Sequence, residues 1–113
     1  NEENNMSENL YKTETIEILA AMASGANQKL IIHTASGVYY GNLLTQDNLD
    51  DFTVASVFHQ VFPKHRKSQI EPESPKAIWL ANVTFVSNNT KTTAPTICIF
   101  IDQIAAVTIG DFE

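Results

Sequence analysis

The sequence contains a single cysteine, Cys98, so it cannot form an intramolecular disulfide. Cys98 lies among isoleucines, and we interpret it as a small buried apolar group. Only 7 residues are lysine or arginine, against 13 aspartates and glutamates, which gives a net charge of −6. This balance disfavours non-specific binding to nucleic acid or to membranes, because such binding depends on clustered cations. No apolar run reaches the length of a membrane span and no secretory signal is visible, so we expect a cytoplasmic protein.

Sequence signs of catalysis and of metal binding are also missing. The histidines His33, His59 and His65 have no ligand-like spacing with each other, with Cys98 or with carboxylates. There is no nucleophile–histidine arrangement and no glycine-rich phosphate loop. We therefore expect neither an enzyme nor a cofactor.

The chain of 113 residues has the length of one domain. Residues 1–9 are polar and without periodicity, which predicts a disordered tail before a single domain over residues 10–113. Residues 10–24 predict a helix whose apolar stripe consists of Tyr11, Thr15, Ile18, Leu19 and Met22. We expect this stripe to cover a sheet, and binding a partner is the alternative.

Strands are predicted over residues 29–35 and 38–45, with Ser36-Gly37 as a hairpin turn and Gly41 marking a bend or a close backbone approach. Residues 49–62 have helical spacing of apolar side chains, which favours a short helix, and their β-branched content makes a strand the alternative. We expect Pro63 to end this segment and a surface loop to follow over 63–76. Residues 77–86 predict a strand, and 87–93 a polar turn.

Two apolar runs, 97–101 and 104–109, close the chain and are separated only by Asp102-Gln103. The apolar faces and the edges of such strands need to be buried, and a small domain has few other elements to bury them. This favours a sheet that extends across a subunit boundary. The whole pattern predicts a mainly β fold: a strongly bent, five-stranded antiparallel barrel with an N-terminal α-helix and a helical or loop insertion between strands 2 and 3.

Three segments resemble the Sm and LSm ring proteins. The first family motif is similar to the run Ser36-Gly37-Val38-Tyr39-Tyr40-Gly41-Asn42-Leu43 followed by Asp47-Asn48-Leu49. The family's third strand resembles residues 78–83, and its second motif resembles residues 100–107. Within the family, the chain looks most like the divergent Sm-like proteins attributed to marine cyanophages. The resemblance implies a homo-oligomeric ring of roughly five to seven subunits, RNA binding or RNA chaperoning, and a location in the host cytoplasm if a phage encodes the chain.

By this resemblance, the RNA-binding residues would be Asp47, Asn48, Asp102 and Gln103. The chain departs from the family at the corner, where RNA-binding members place a basic residue and this chain has Asp102. A belt of carboxylates would repel RNA, so a structural or protein-interaction ring without an RNA site is the alternative.

Two further groups of residues complete the predictions. The cluster Lys64-His65-Arg66-Lys67 can bind phosphates, or can be a solvated loop. For the subunit interface we expect strand 97–101 or 104–109 to pair with a neighbour's strand 78–86. The predicted interface residues are Trp79, Leu80, Val83, Ile97, Ile99 and Ile101.

Overall fold

The structure, a computed structural model, describes residues 2–45, 47–65 and 76–111. In these residues it has two α-helices, two 3-10 turns and five strands. The helices are α1 (Glu2–Ala26) and α2 (Thr53–His65), and the 3-10 turns are Leu49–Asp51 and Ile101–Gln103. The strands are β1 (Lys29–Thr34), β2 (Gly37–Leu43), β3 (Ala77–Ser87), β4 (Thr90–Phe100) and β5 (Ile104–Gly110). The expected mainly β class, with an N-terminal helix and a helical insertion between β2 and β3, is confirmed.

All five strands form one antiparallel sheet in the order β4-β3-β2-β1-β5. β4 and β5 are therefore the end strands, and no pairing between them closes the described strands into the barrel that we expected. The 3-10 turn at 101–103 connects these two end strands along the chain.

Gly41 lies at an irregularity of the β2–β3 pairing and does not break the strand, as its position in the sequence predicted. The β2–β3 register shifts between Tyr40 and Asn42, where β3 contains one extra residue. Asn82 adopts a φ of 53° beside this shift, a left-handed conformation that asparagine tolerates better than most residues. A Cβ at Gly41 would lie 3.0 Å from the Ala81 carbonyl oxygen, so the pairing here also depends on close backbone approach.

The β3–β4 connection is tighter than predicted. Only Asn88 and Asn89 form the turn, with φ values of 49° and 66°. Two consecutive left-handed residues give the turn whose twist matches a β-hairpin. Thr90, Thr92 and Thr93, which we assigned to the turn, belong to β4 because threonine fits a pleated strand well.

The core lies on one face of the sheet, beneath α1. It is formed by side chains that alternate along the strands together with Ile16 of α1: Ile16, Leu30, Ile32, Ile78, Leu80, Val83, Ile99, Ile101 and Ile104. We call this the core face and the opposite side the outer face.

Helix α1 differs from the prediction in its start and in its buried stripe. It begins at Glu2, and residues 2–9, predicted to be a tail, continue the helix because they contain no glycine or proline. The buried positions are Ile16 and Ala23, and Leu19 of the predicted stripe packs against the core, whereas Tyr11, Ile18 and Met22 are exposed. The helix has two apolar stripes, and the one containing the small Ala20 and Ala23 allows the closer approach to the sheet.

Helix α2 confirms the helical interpretation of residues 49–62, preceded by the 3-10 turn at 49–51. Pro63 does not end the helix, which continues to His65. Pro63 lacks the N–H that would bond the His59 carbonyl and its ring crowds that carbonyl, yet only two further residues of α2 follow it.

Candidate functional site

The corner between β4 and β5 is a one-turn 3-10 segment that splits into a buried and an exposed part. Ile101 is fully buried, and its N–H donates to the Lys76 carbonyl at 2.8 Å. Asp102 and Gln103 are exposed, and the Gln103 amide donates from Nε2 to Asp102 Oδ1 at 3.3 Å. The predicted corner is therefore present, with its carboxylate and its amide facing solvent.

A lysine from α1 reaches this corner, which the sequence pattern did not indicate. Lys12 donates from Nζ to the Ile101 carbonyl oxygen at 3.3 Å, across 89 positions of sequence. An ammonium group has three N–H donors, and this carbonyl takes one of them. The four residues predicted by resemblance, Asp47, Asn48, Asp102 and Gln103, do not include this cation, which the covering helix supplies.

Asn48 has a structural role in the β2–α2 connection. Its Oδ1 accepts a hydrogen bond from the Thr45 N–H at 2.9 Å, which closes the turn. Asp47 beside it is exposed. The side-chain oxygen of Asn48 is therefore engaged in a hydrogen bond within the chain, whereas its side-chain nitrogen could still donate to a ligand.

A cleft of about 960 Å³ lies between the C-terminal half of α1 and the end of β2. Asn48 lines it together with the amides of Asn27, Gln28 and Asn42, and Glu17 is its charged residue. Amides both donate and accept hydrogen bonds, so this cleft suits a neutral polar ligand better than an anion. Asp102 and Gln103 do not line it, so the cleft does not unite the four predicted RNA-binding residues.

A smaller cavity of about 190 Å³ lies where α1 and α2 approach the start of β3. Thr13 and Glu17 of α1 line it, with His59 of α2 and Trp79 of β3. His59 Nδ1 lies 2.8 Å from the Ala55 carbonyl oxygen, one turn earlier in the helix. This contact holds the imidazole against its own helix.

The end strands β4 and β5 are the positions where the described sheet could be extended. β3 pairs with β2 on one side and with β4 on the other, so it has no free edge for a neighbour. The predicted pairing onto a neighbour's strand 78–86 is therefore excluded by the chain's own sheet. Pro95 lies in β4 and lacks an N–H, which restricts further pairing along that strand to its apolar half.

Four of the six predicted interface side chains belong to the core of a single chain. They are Leu80, Val83, Ile99 and Ile101, each at most 5% exposed. Alternation along the strands places them on the core face, so only their backbone could take part in a subunit contact. Trp79 and Ile97 are partly exposed.

An apolar patch covers part of the outer face near the β4 edge. Trp79 pairs with Cys98, and Phe100 follows Cys98 on the same face with 62% of its surface exposed. Burial of the Cys98 thiol raises its pKa, so the thiol stays protonated at neutral pH. α2 packs against this patch through Phe58, whose ring centroid lies 5.3 Å from that of Trp79.

The basic cluster falls largely outside the described residues. Lys64 and His65 are the last residues of α2, and Arg66 and Lys67 are not described. Within the described ranges, no group of three or more His, Cys, Asp or Glu side chains is arranged to hold a metal ion. None of the helices in the described part of the chain has the length and apolar character needed to cross a membrane.

Comparison with known proteins gives no match to a protein-family model, to a curated protein or to a solved structure.

Proposed function

We propose that this chain is a subunit of a homo-oligomeric, Sm-like ring in which β4 of one copy pairs with β5 of the next. The observation that carries the proposal is the open sheet, whose two end strands are both antiparallel and both partly apolar. An unpaired strand edge exposes backbone donors and acceptors that readily pair with another chain. Two different edges on one chain give a head-to-tail contact, which closes into a ring when the rotation between copies permits.

Further support comes from the composition of the two edges. The apolar half of β4, residues 96–100, follows Pro95, and β5 carries the exposed small residues Ala105 and Ala106. Small side chains permit close approach of a neighbouring strand. The N-terminal helix, the five antiparallel strands and the short corner at 101–103 are compatible with the proposed Sm-like ring.

Native mass spectrometry and light scattering test the ring. We expect one discrete oligomer at micromolar concentration, and conversion to a monomer in Ala106→Lys, because a lysine on β5 places bulk and charge at the paired edge. The matched control is Ala26→Lys at the exposed C-terminal end of α1, which should retain the oligomer. A monomeric wild-type chain, or an unchanged oligomer in Ala106→Lys, would refute the proposed contact.

RNA binding at the corner is the second candidate function, and the position of Lys12 favours it. Its ammonium group lies beside the exposed Asp102-Gln103 pair, and repetition around a ring would place one cation at each corner. The carboxylate of Asp102 opposes this attraction, and the net charge of −6 opposes it further. The protein-interaction ring therefore remains the function that the geometry supports best.

Filter binding of oligo-U at two salt concentrations separates these functions. RNA binding at the corner predicts an affinity that falls with salt and is weakened by Lys12→Met. Loss of binding only in Lys64→Ala/Arg66→Ala/Lys67→Ala would move the site to the basic cluster. Absence of binding at the lower salt concentration would refute RNA binding, and the protein-interaction ring would be the remaining candidate function.

A further inference from the structure

Both helices expose an apolar face to solvent. The α2 apolar face consists of Val54, Val57, Phe58, Val61 and Phe62, which are between 37% and 65% exposed. The α1 apolar face consists of Tyr11, Ile18 and Met22, which are between 55% and 73% exposed. Single exposed apolar residues are common, but two helical stripes of this size indicate an interaction surface.

The folded chain cannot cover these faces with its own sheet. α1 uses Ile16 and Ala23 to contact the core face, which directs its other stripe away from the strands. α2 is held by the fully buried Ala55 and by the Phe58–Trp79 contact on the outer face. Phe58 and Phe62 also contact each other, so Val54, Val57 and Val61 are the part of the α2 apolar face that is most exposed to another molecule.

We propose that the α2 apolar face of one copy packs on the α1 apolar face of the next copy. This inference rests on the proposed ring and adds a second, helix-to-helix contact at each subunit boundary. The insertion between β2 and β3 then serves as an arm that reaches the neighbouring subunit.

The positions of the helices at the two sheet edges support this pairing. α1 packs against β5, the end strand on one side of the sheet. α2 packs against Trp79, which is paired with Cys98 of β4, the end strand on the other side. Pairing β4 with a neighbour's β5 would bring α2 and the neighbour's α1 to the same boundary.

The charges of the two helices are complementary. α1 carries five glutamates and one lysine, whereas α2 carries no acidic residue and contains Lys64 and two histidines. With five glutamates and one lysine α1 has a net charge of −4, whereas α2 has one lysine and neutral histidines, so a contact between α1 and α2 is favoured over a contact between two α1 helices.

The exposed area is also sufficient when the strand contact is included. The eight side chains leave on the order of 800 Å² uncovered, given the 150–250 Å² that a large aromatic side chain presents. Pairing of β4 with β5 supplies the rest of the roughly 1,200 Å² that a specific interface requires. Neither contact reaches this area alone.

Cross-linking of the full chain in a Cys98→Ala background tests the proposal. Met22→Cys chains and Val57→Cys chains are coexpressed and treated with a flexible bismaleimide. We expect covalent dimers from the mixture and single chains from each variant expressed alone. The matched control is Ser24→Cys, which is exposed two residues after Met22 and therefore lies on the opposite side of α1, and it should give no dimer with Val57→Cys.

A second measurement uses the strength of association. Val57→Glu/Val61→Glu should weaken assembly at least about tenfold, because it places two charges in the apolar contact. Ser24→Glu, on the side of α1 opposite Met22, should leave assembly unchanged.

Each outcome decides a different question. Dimers of Val57→Cys expressed alone would show that α2 pairs with itself and would overturn the proposal, as would an oligomer without the mixed cross-link. Oligomers unaffected by Val57→Glu/Val61→Glu would also overturn it and assign the α2 apolar face to a different protein. A monomeric wild-type chain would refute the ring as well.

Discussion

The aromatic rings of Phe58 and Trp79 lie 5.3 Å apart, centroid to centroid, with their planes inclined by 53°. The His59 ring approaches the same indole at 6.0 Å. These contacts join α2 to β3, so the insertion is positioned by one tryptophan on the outer face of the sheet. Trp79 is the only tryptophan in the chain and therefore reports directly on this contact.

Phe58→Ala should loosen α2 and lower the free energy of unfolding by about 1–3 kcal/mol, because it removes a half-buried ring and an aromatic pair. Trp79 fluorescence should shift to longer wavelength as water reaches the indole. Val54→Ala, at a position 65% exposed on the same helix, should leave both quantities nearly unchanged. Equal effects of the two variants would contradict the Phe58–Trp79 contact.

Gly37→Ala should destabilise the β1–β2 hairpin. An added Cβ would lie 2.5 Å from the Val86 carbonyl oxygen and 2.8 Å from the Phe85 ring, closer than real Cβ atoms approach. We expect a loss of about 1–3 kcal/mol in chemical denaturation.

Gly25→Ala provides the opposite control for this substitution. Nothing lies within 4 Å of the Cβ that it would add, and Gly25 lies in α1. Alanine has the higher helix propensity, so stability should rise by up to about 1 kcal/mol. A stabilising Gly37→Ala would show that the hairpin does not pass as close to β3 as the structure indicates.

Leu80→Ala should lower the free energy of unfolding by about 2–5 kcal/mol, since it opens a cavity at a fully buried position. Leu10→Ala, at a position 45% exposed on α1, should cost less than about 1 kcal/mol. The test also concerns the assembly. If Leu80 instead formed the subunit interface, Leu80→Ala would weaken the oligomer while each chain kept its stability.

Cys98 should make stability depend on alkaline pH. Burial raises the pKa of this thiol in the folded chain. Its contribution to stability is therefore complete below the unfolded pKa of about 8.5 and is lost as the pH rises through the folded value. Denaturation curves across this interval should show a decline in wild type that is smaller in Cys98→Ala.

The rate at which Cys98 reacts with a disulfide reagent is an independent test of the burial of its thiol. Thiolate is the reactive form, so the folded chain should react slowly at neutral pH and faster after unfolding in denaturant. A folded-state rate equal to the unfolded rate would contradict the burial of the thiol.

Local patterns of residues predicted much of the secondary structure. Alternation along 77–86 and the spacing of Val54, Val57, Phe58, Val61 and Phe62 correspond to β3 and α2. Gly41 marked the close backbone approach because only a residue without Cβ allows the Ala81 backbone so close. Such signals are readable because each depends on a few neighbouring residues and on the intrinsic geometry of a strand or helix.

The candidate site was less predictable because its contacts join distant parts of the chain. Lys12 meets Ile101 across 89 positions, and no local pattern encodes that distance. Likewise, Tyr11, Ile18 and Met22 have the spacing of a buried stripe, yet the sheet packs on Ile16 and Ala23 instead. Hydrophobic periodicity identifies the apolar faces of a helix but does not show which of them the sheet buries.

The sequence by itself determined the number and order of the helices and strands, the corner at Asp102-Gln103 and the acidic net charge, because these depend on local composition and spacing. Only the tertiary structure decided that β4 and β5 are the free edges, that Leu80 and Ile101 belong to the core, and that the α2 apolar face remains exposed. These features follow from which surfaces fit one another once the sheet is assembled, and that competition among long-range contacts is settled by packing rather than by any short stretch of residues.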